Sequence, residues 1–222
     1  MVRARAWKWL KIGVLAVAVV VLTAIGWNDT AKLLAYQPLG IDFLPMWAAA
    51  HEVFVHPHRV YDFARLTHFE QPELWNFPFR GLRPFVYPPP ALLFFAPFGR
   101  APFELANLIW TGIGLFAILL AMSTQVKSPR VLVLLAMVIS PASLLVLLTG
   151  QVTFLIAAMG VVGLLCLRTQ PILAGVLFGL AGAIKPQAMV LLPVALFALG
   201  AWRAMLMTAL CAAAVAVASA IV

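Results

Sequence analysis

Acidic side chains are scarce: seven of 222 residues are Asp or Glu, only 10% carry a charge of either sign, and 64% are hydrophobic. A chain so poor in charge cannot furnish the surface of a water-soluble domain, and a disordered tail or solvated coiled coil is excluded for the same reason. Cysteine is nearly missing as well. Cys166 and Cys211 both lie inside apolar runs, where cysteine is a small buried hydrophobe, so no disulfide and no thiolate metal site follows. Asp-x-Asp does not occur, no glycine-rich loop of Walker type is present, and His56 and His58 lack a third ligand at metal spacing. Metal binding and ATP use are therefore unsupported, and no cofactor is expected. The net charge of +8 does not mark a nucleic-acid binder. Such proteins gather Lys and Arg on one exposed face, whereas here four basic residues precede the first apolar run and the others punctuate its successors.

What is abundant is apolar sequence in measured lengths. Charge-free stretches run from Ile12 to Asn28 (17 residues), Leu105 to Val126 (22), Val131 to Leu167 (37), Thr169 to Ile184 (16), Pro186 to Trp202 (17) and Ala204 to Val222 (19). About 20 helical residues cross a bilayer, and the 37-residue stretch is too long for one crossing, so it should fold back near Thr149, Gly150 and Gln151. The expected fold is all-α: a polytopic membrane protein of about seven spans in a single membrane-embedded domain, 1–222. Residues 12–27 form the first span, 28–104 a long extracytoplasmic loop with interfacial helices, and 105–222 the further spans. Runs 169–184 and 186–202 are short, and a single tilted helix or a re-entrant pair kinked at Pro186 is the alternative there. The chain stops inside an apolar run, which leads us to expect a polypeptide lacking a C-terminal half.

Orientation follows from charge. Arg3, Arg5, Lys8 and Lys11 precede the first run, while every acid and every histidine falls between Trp27 and Leu105. The positive-inside rule puts the N-terminus in the cytoplasm and the acid-bearing loop outside, in a cell-membrane protein that meets membrane lipids and no nucleic acid. On this topology Asp42, Gln151 and Lys185 share the outer side.

The outer loop holds Trp47, Trp75, Phe77, Phe79, Phe85 and Tyr87, too many aromatics for a linker. Phe43, Trp47, Ala50 and Phe54 fall on one helical stripe, which predicts a helix over 43–55 lying along the outer surface. Tyr87-Pro88-Pro89-Pro90 reads as a stiff extended piece leading into 91–98, too short to span. Asp42, just before the first of these helices, is either its N-cap or a catalytic carboxylate, and the roles are compatible. Lys185, between two apolar runs and followed by Pro186 and Gln187, is either a snorkelling helix end or a ligand-binding cation. Gly150-Gln151 reads as a hairpin turn or as part of a site. Arg59, Arg65, Arg80, Arg83 and Arg100 are either ordinary surface charges or contacts to lipid phosphates.

Gly40-Ile41-Asp42-Phe43 with Trp47-Ala48-Ala49, Val60-Tyr61-Asp62, Tyr87-Pro88-Pro89, Trp110, Gly150-Gln151 and Ala183-Ile184-Lys185-Pro186-Gln187 together resemble glycosyltransferase family 87. These are membrane-embedded GT-C-type enzymes related to polyprenyl-phosphate-mannose-dependent mannosyltransferases. The resemblance implies transfer of a sugar, mannose first, from a polyprenyl-phosphate donor to a lipid or glycan acceptor on the extracytoplasmic face, with inversion. It implies Asp42 as the catalytic base. Lys185, Gln151, Gln187 and Arg83 become candidates for the donor phosphate, and Trp47 and Tyr87 for the substrate pocket. The rival readings are a lipid or sugar transporter, with Lys185 beside a helix break as its site, and a non-catalytic subunit or truncated paralogue.

Overall fold

The computed structural model describes residues 14, 17, 20, 21, 23–32, 35–74, 76, 83–126 and 130–220. The N-terminal basic cluster, much of the expected first span, and Trp75, Phe77, Phe79 and Arg80 lie outside them. Among the described residues the backbone is helical with no strand, as the composition required. After helical residues 23–32 come α1 (Leu44–Glu52), α2 (Phe63–Leu74), α3 (Pro89–Phe95), α4 (Phe103–Ser123), α5 (Arg130–Val138), α6 (Pro141–Thr149), α7 (Thr153–Cys166), α8 (Pro171–Ile184), α9 (Leu192–Ala198) and α10 (Trp202–Ser219). Of these, α4 and α10 are each long and apolar enough to cross a membrane. Leu108, Phe116, Leu206 and Val217 on them point outward and are exposed, a surface that suits lipid better than water.

Proline and glycine set the breaks. The 37-residue run folds back at Gly150, as its length predicted, and breaks a second time at Ser140-Pro141. Ser140 is extended (ψ 145°) ahead of the proline, and its Oγ accepts the Ser143 N–H at 3.3 Å, a side-chain cap for α6. Gly150 closes α6 in the left-handed region at φ 73°, which costs glycine little. Likewise α8 stops at Ile184 because Lys185 precedes Pro186 and takes an extended φ of −138° and ψ of 78°; a 3-10 turn, Pro186–Met189, follows. The run 186–202 thus divides into that turn and the short α9.

Close backbone approach joins α8 to α10. A Cβ on Gly175 would meet Met207 Cβ at 2.5 Å and Ala204 O at 2.6 Å, and one on Gly179 would meet Cys211 Cβ at 2.6 Å. Two glycines four residues apart let helices pack at this distance, as small-residue interfaces do in membranes.

Helix α1 corrects the expectation of a surface helix. Leu44, Met46, Ala48, Ala49 and Ala50 are all buried, so α1 is the centre of the packing and not an interfacial rod. The sequence LPMWAAAHE has small or apolar side chains on nearly every face, and neighbours close round it. Gly99 lies against it so tightly that a Cβ there would meet Ala50 O at 2.2 Å. Around Phe43 the aromatic rings interlock: Trp110 stacks on it at 5.6 Å, and Phe95 and Phe98 stand edge-on to Trp110 at 5.2 and 5.5 Å. Each such pair adds about 0.5–1.5 kcal/mol beyond burial. The predicted short piece over 91–98 is present as α3 and the 3-10 turn Ala96–Phe98.

Candidate active site

The turn at residues 40–43 docks on the end of α6. Gly40 N–H donates to Leu148 O (2.7 Å) and Asp42 N–H to Thr149 O (2.8 Å), filling two of the carbonyls that a helix C-terminus leaves without partners. Gly40 is also left-handed, at φ 79°, and a Cβ on it would strike the Asn107 side chain at 2.4 Å. Trp110 Nε1 donates to Gly150 O at 3.2 Å and pins the far side of the same junction. Main-chain bonds therefore hold Asp42 beside Gln151, although 109 positions separate them.

Asp42 is not the cap of α1. Phe43 occupies that position with helical backbone and no side-chain cap bond. Instead the Asp42 carboxylate, with its side chain 22% exposed, accepts Gln151 Nε2 at Oδ2 (2.8 Å) and the Arg83 guanidinium at Oδ1. Gln151 is oriented in turn by the Thr153 hydroxyl, which donates to its Oε1 at 3.1 Å. Arg83 also reaches Gln37 Oε1 at 3.4 Å.

Asp42, Arg83 and Gln151 line a cavity of about 340 Å³ with Pro45, Pro84, Val86, Tyr87 and Lys185. Five residues expected at a site, Asp42, Arg83, Tyr87, Gln151 and Lys185, thus meet in one place. Lys185 is half-buried there and makes no ion pair among the described residues, which leaves its charge available to a ligand. Tyr87 is pushed up to about 12, first by burial and then by the Asp42 charge, so its phenol stays protonated and can only donate or accept a hydrogen bond as a neutral group. Among the described residues Asp42 is the one carboxylate on the cavity wall. The cavity wall combines a carboxylate, an arginine paired with it and a lysine, which suits a reaction that takes a proton from one partner and receives an anion from the other.

Trp47 and Gln187 are not among the lining residues. Trp47 donates to Ala101 O at 2.9 Å and packs on Phe103 at 5.6 Å, and Gln187 is exposed on the turn after Lys185. The two other acids near α1 are engaged elsewhere. Glu52 is fully buried and accepts His56 Nδ1 and Arg65 Nε, each at 3.0 Å, while Asp62 accepts the Arg65 N–H at 3.2 Å.

Sequence reasoning missed three contributors. Tyr61 donates its hydroxyl to Tyr87 O at 2.8 Å and steadies the cavity wall; it had been noted only as part of a motif. Gln37 carried no signal. Glu70 did: it lies four residues from both Leu66 and Leu74, on the one stripe of α2 that is buried. An acid in an apolar helical stripe is a legible anomaly.

Comparison with curated proteins and with solved structures gives no match. The model of a sugar-transferring family does match, over residues 85–222, a range that takes in Tyr87, Gln151, Lys185 and Gln187 and begins after Asp42, Trp47 and Arg83. The chain belongs to glycosyltransferase family 87.

Proposed function

We propose that the protein moves a hexose, mannose by the family resemblance, from a polyprenyl-phosphate donor to a hydroxyl of a lipid or glycan acceptor at the extracytoplasmic face of the cell membrane. The observation that carries this reading is the cavity shared by Asp42, Gln151, Arg83 and Lys185 in a member of family 87. About seven spans in a GT-C-like arrangement, with residues 28–104 outside, are the finer part of the same proposal.

An acceptor hydroxyl is a poor nucleophile near neutral pH until a placed carboxylate takes its proton. Asp42 takes it, the hydroxyl oxygen attacks the anomeric carbon from the face opposite the leaving group, and configuration inverts. The bond between the anomeric carbon and the phosphate oxygen breaks, and its electron pair leaves with the polyprenyl phosphate. Arg83 and Lys185 face the charge that develops there, and preorganised cations in a partly dried site are worth more than in water. Gln151 holds Asp42 in place, and the neutral Tyr87 phenol can hydrogen-bond the sugar. Asp42 then returns its proton to water.

The test is Asp42→Asn. Because α1 makes no side-chain cap bond, the fold should survive, while loss of the base lowers transfer of labelled sugar by about a hundredfold to ten-thousandfold. A folded Asp42→Asn protein that transfers sugar at near wild-type rate would end Asp42's candidacy.

A further inference from the structure

Glu70 is 1% exposed, between Leu66 and Leu74 on the buried stripe of α2. Its Oε2 accepts the main-chain N–H of Arg83 at 3.2 Å, and its Oε1 has no hydrogen-bond partner among the described residues. The same Arg83 sends its guanidinium forward to Asp42 on the cavity wall and to Gln37. Keeping a carboxylate out of water with one oxygen unsatisfied is costly. As an anchor alone, glutamine would also accept the Arg83 N–H, more weakly but without burying a charge, so the acid calls for a role in which its charge matters.

We propose that Glu70 is a positioning residue for the anion-binding wall: it fixes the Arg83 main chain from behind, and its charge sets how strongly that wall attracts an anion placed in front. This rests on the reading that the cavity receives a phosphate-linked donor. While ionised, Glu70 repels an incoming anion and offsets part of the Arg83 charge. Once protonated it no longer repels, yet its carbonyl oxygen still accepts the Arg83 N–H, so the anchor is kept and the attraction rises.

Burial pushes Glu70 up to about 7 against the opposing pulls of the Arg83 N–H and charge, which puts the change of state near neutral pH. From α1, His51 approaches this helix, with its ring 4.7 Å from that of Phe69, and Glu52 is already held by Arg65 and His56. On α2 itself stand Arg65, His68 and Glu73, the last pushed up by burial and then by Glu104. The Arg83 charge pulls Glu70 down, against the burial that raises it.

The experiment measures binding of farnesyl methyl phosphate to the purified full chain in detergent, from about pH 5.5 to about pH 8.5, a range over which this phosphodiester keeps one charge. Removing one charge roughly 10 Å from the probe at an effective dielectric of about 30 should tighten wild-type binding about fivefold at the acid end. Glu70→Gln should bind at the tight level at every pH, with the slope gone. Glu70→Leu, which loses the anchor as well, should bind weakly and without slope. A bound probe whose pH slope persists in Glu70→Gln assigns the slope to the histidines and overturns the proposal. No saturable binding by wild type overturns the donor reading itself, and this inference with it. Should Glu70→Gln fail to fold, infrared titration of the wild type decides. A protonated carboxyl band that disappears in step with the loss of affinity supports the role, and carboxyls ionised across the whole range overturn it.

Discussion

Replacing Gly150 with alanine asks whether the main-chain junction between the 40–43 turn and α6 sets the spacing of the site. Gly150 sits at φ 73°, and the left-handed region costs any other L-residue about 1–2 kcal/mol. The added methyl would stand 2.6 Å from Asn107 Oδ1, 2.8 Å from Phe43 Cβ and 3.2 Å from Gly40 Cα. The Asn107 amide can turn aside. Phe43 and Gly40 cannot retreat without lengthening the bonds from Gly40 and Asp42 to Leu148 and Thr149, which are 2.7 and 2.8 Å. Overpacking of this kind adds about 1–3 kcal/mol, so the total loss should be about 2–5 kcal/mol. The natural control is Gly112→Ala. Gly112 lies inside α4 with nothing within 4 Å of an added Cβ, and alanine there should stabilise the helix by about 0.5–1 kcal/mol. Thermal unfolding in detergent would compare the two variants, and sugar transfer would be normalised to the folded fraction. Gly150→Ala should melt well below wild type. Its folded fraction should transfer sugar slower by roughly a hundredfold, because Asp42 and Gln151 are displaced by about an ångström. If Gly150→Ala proves as stable and as active as Gly112→Ala, the junction does not govern the site.

Glu70→Gln should also change stability. The folded-state value is raised from 4.5 to about 7, so the folded chain holds an extra proton between those values. The contribution is intact below about pH 4.5 and is lost as pH rises through 7, a difference of about 3 kcal/mol that thermal unfolding of wild type should display and Glu70→Gln should flatten. Lys185→Met removes a cation of the cavity wall and should weaken apparent donor affinity about tenfold or more while acceptor KM stays unchanged; equal donor affinity with normal membrane insertion would reduce Lys185 to a snorkelling helix end. Orientation can be read with cysteines in a background where Cys166 and Cys211 are alanine. A cysteine at Gln71 on α2 should react with an impermeant thiol reagent in intact cells and one at Gln125 after α4 should not, and the reverse pattern would invert the topology.

Chain breaks were legible because proline and glycine act locally. Gly150 and Pro186 stop helices by backbone geometry that a sequence states outright, and the length of the 131–167 run forced a fold-back. The second break at Ser140-Pro141 is equally legible from the proline, although run length by itself calls for only one fold-back. The place of α1 was not legible. Its alanines would suit a surface or a core alike, and only the approach of Gly99 and the ring cluster about Phe43 decides for burial. Asp42, Tyr87, Gln151 and Lys185 could be nominated from motif order and Arg83 only as one of several loop arginines, yet the pairing of Asp42 with Arg83 and Gln151 depends on the 40–43 turn bonding α6, a long-range contact with no pattern in either segment. Glu70 escaped notice because α2 is polar elsewhere, which hides a single acid on its apolar stripe.

The bonds from Gly40 and Asp42 to the end of α6 carry a consequence for biogenesis. Asp42 emerges from the ribosome long before the helix end that positions it, and its hydrogen-bond partner Gln151 follows 109 residues later. At about 5–20 residues per second, that interval is roughly 5–20 seconds of translation. Throughout it the 40–43 segment has its carboxylate unpaired from Gln151 and its two turn amides without their α6 partners. The turn therefore has to stay soluble until α6 arrives, and the Asp42–Gln151 pair is withheld from every nascent chain that stops short of Gln151. A membrane insertase that delayed α6 would lengthen that vulnerable interval without changing a single residue of the site.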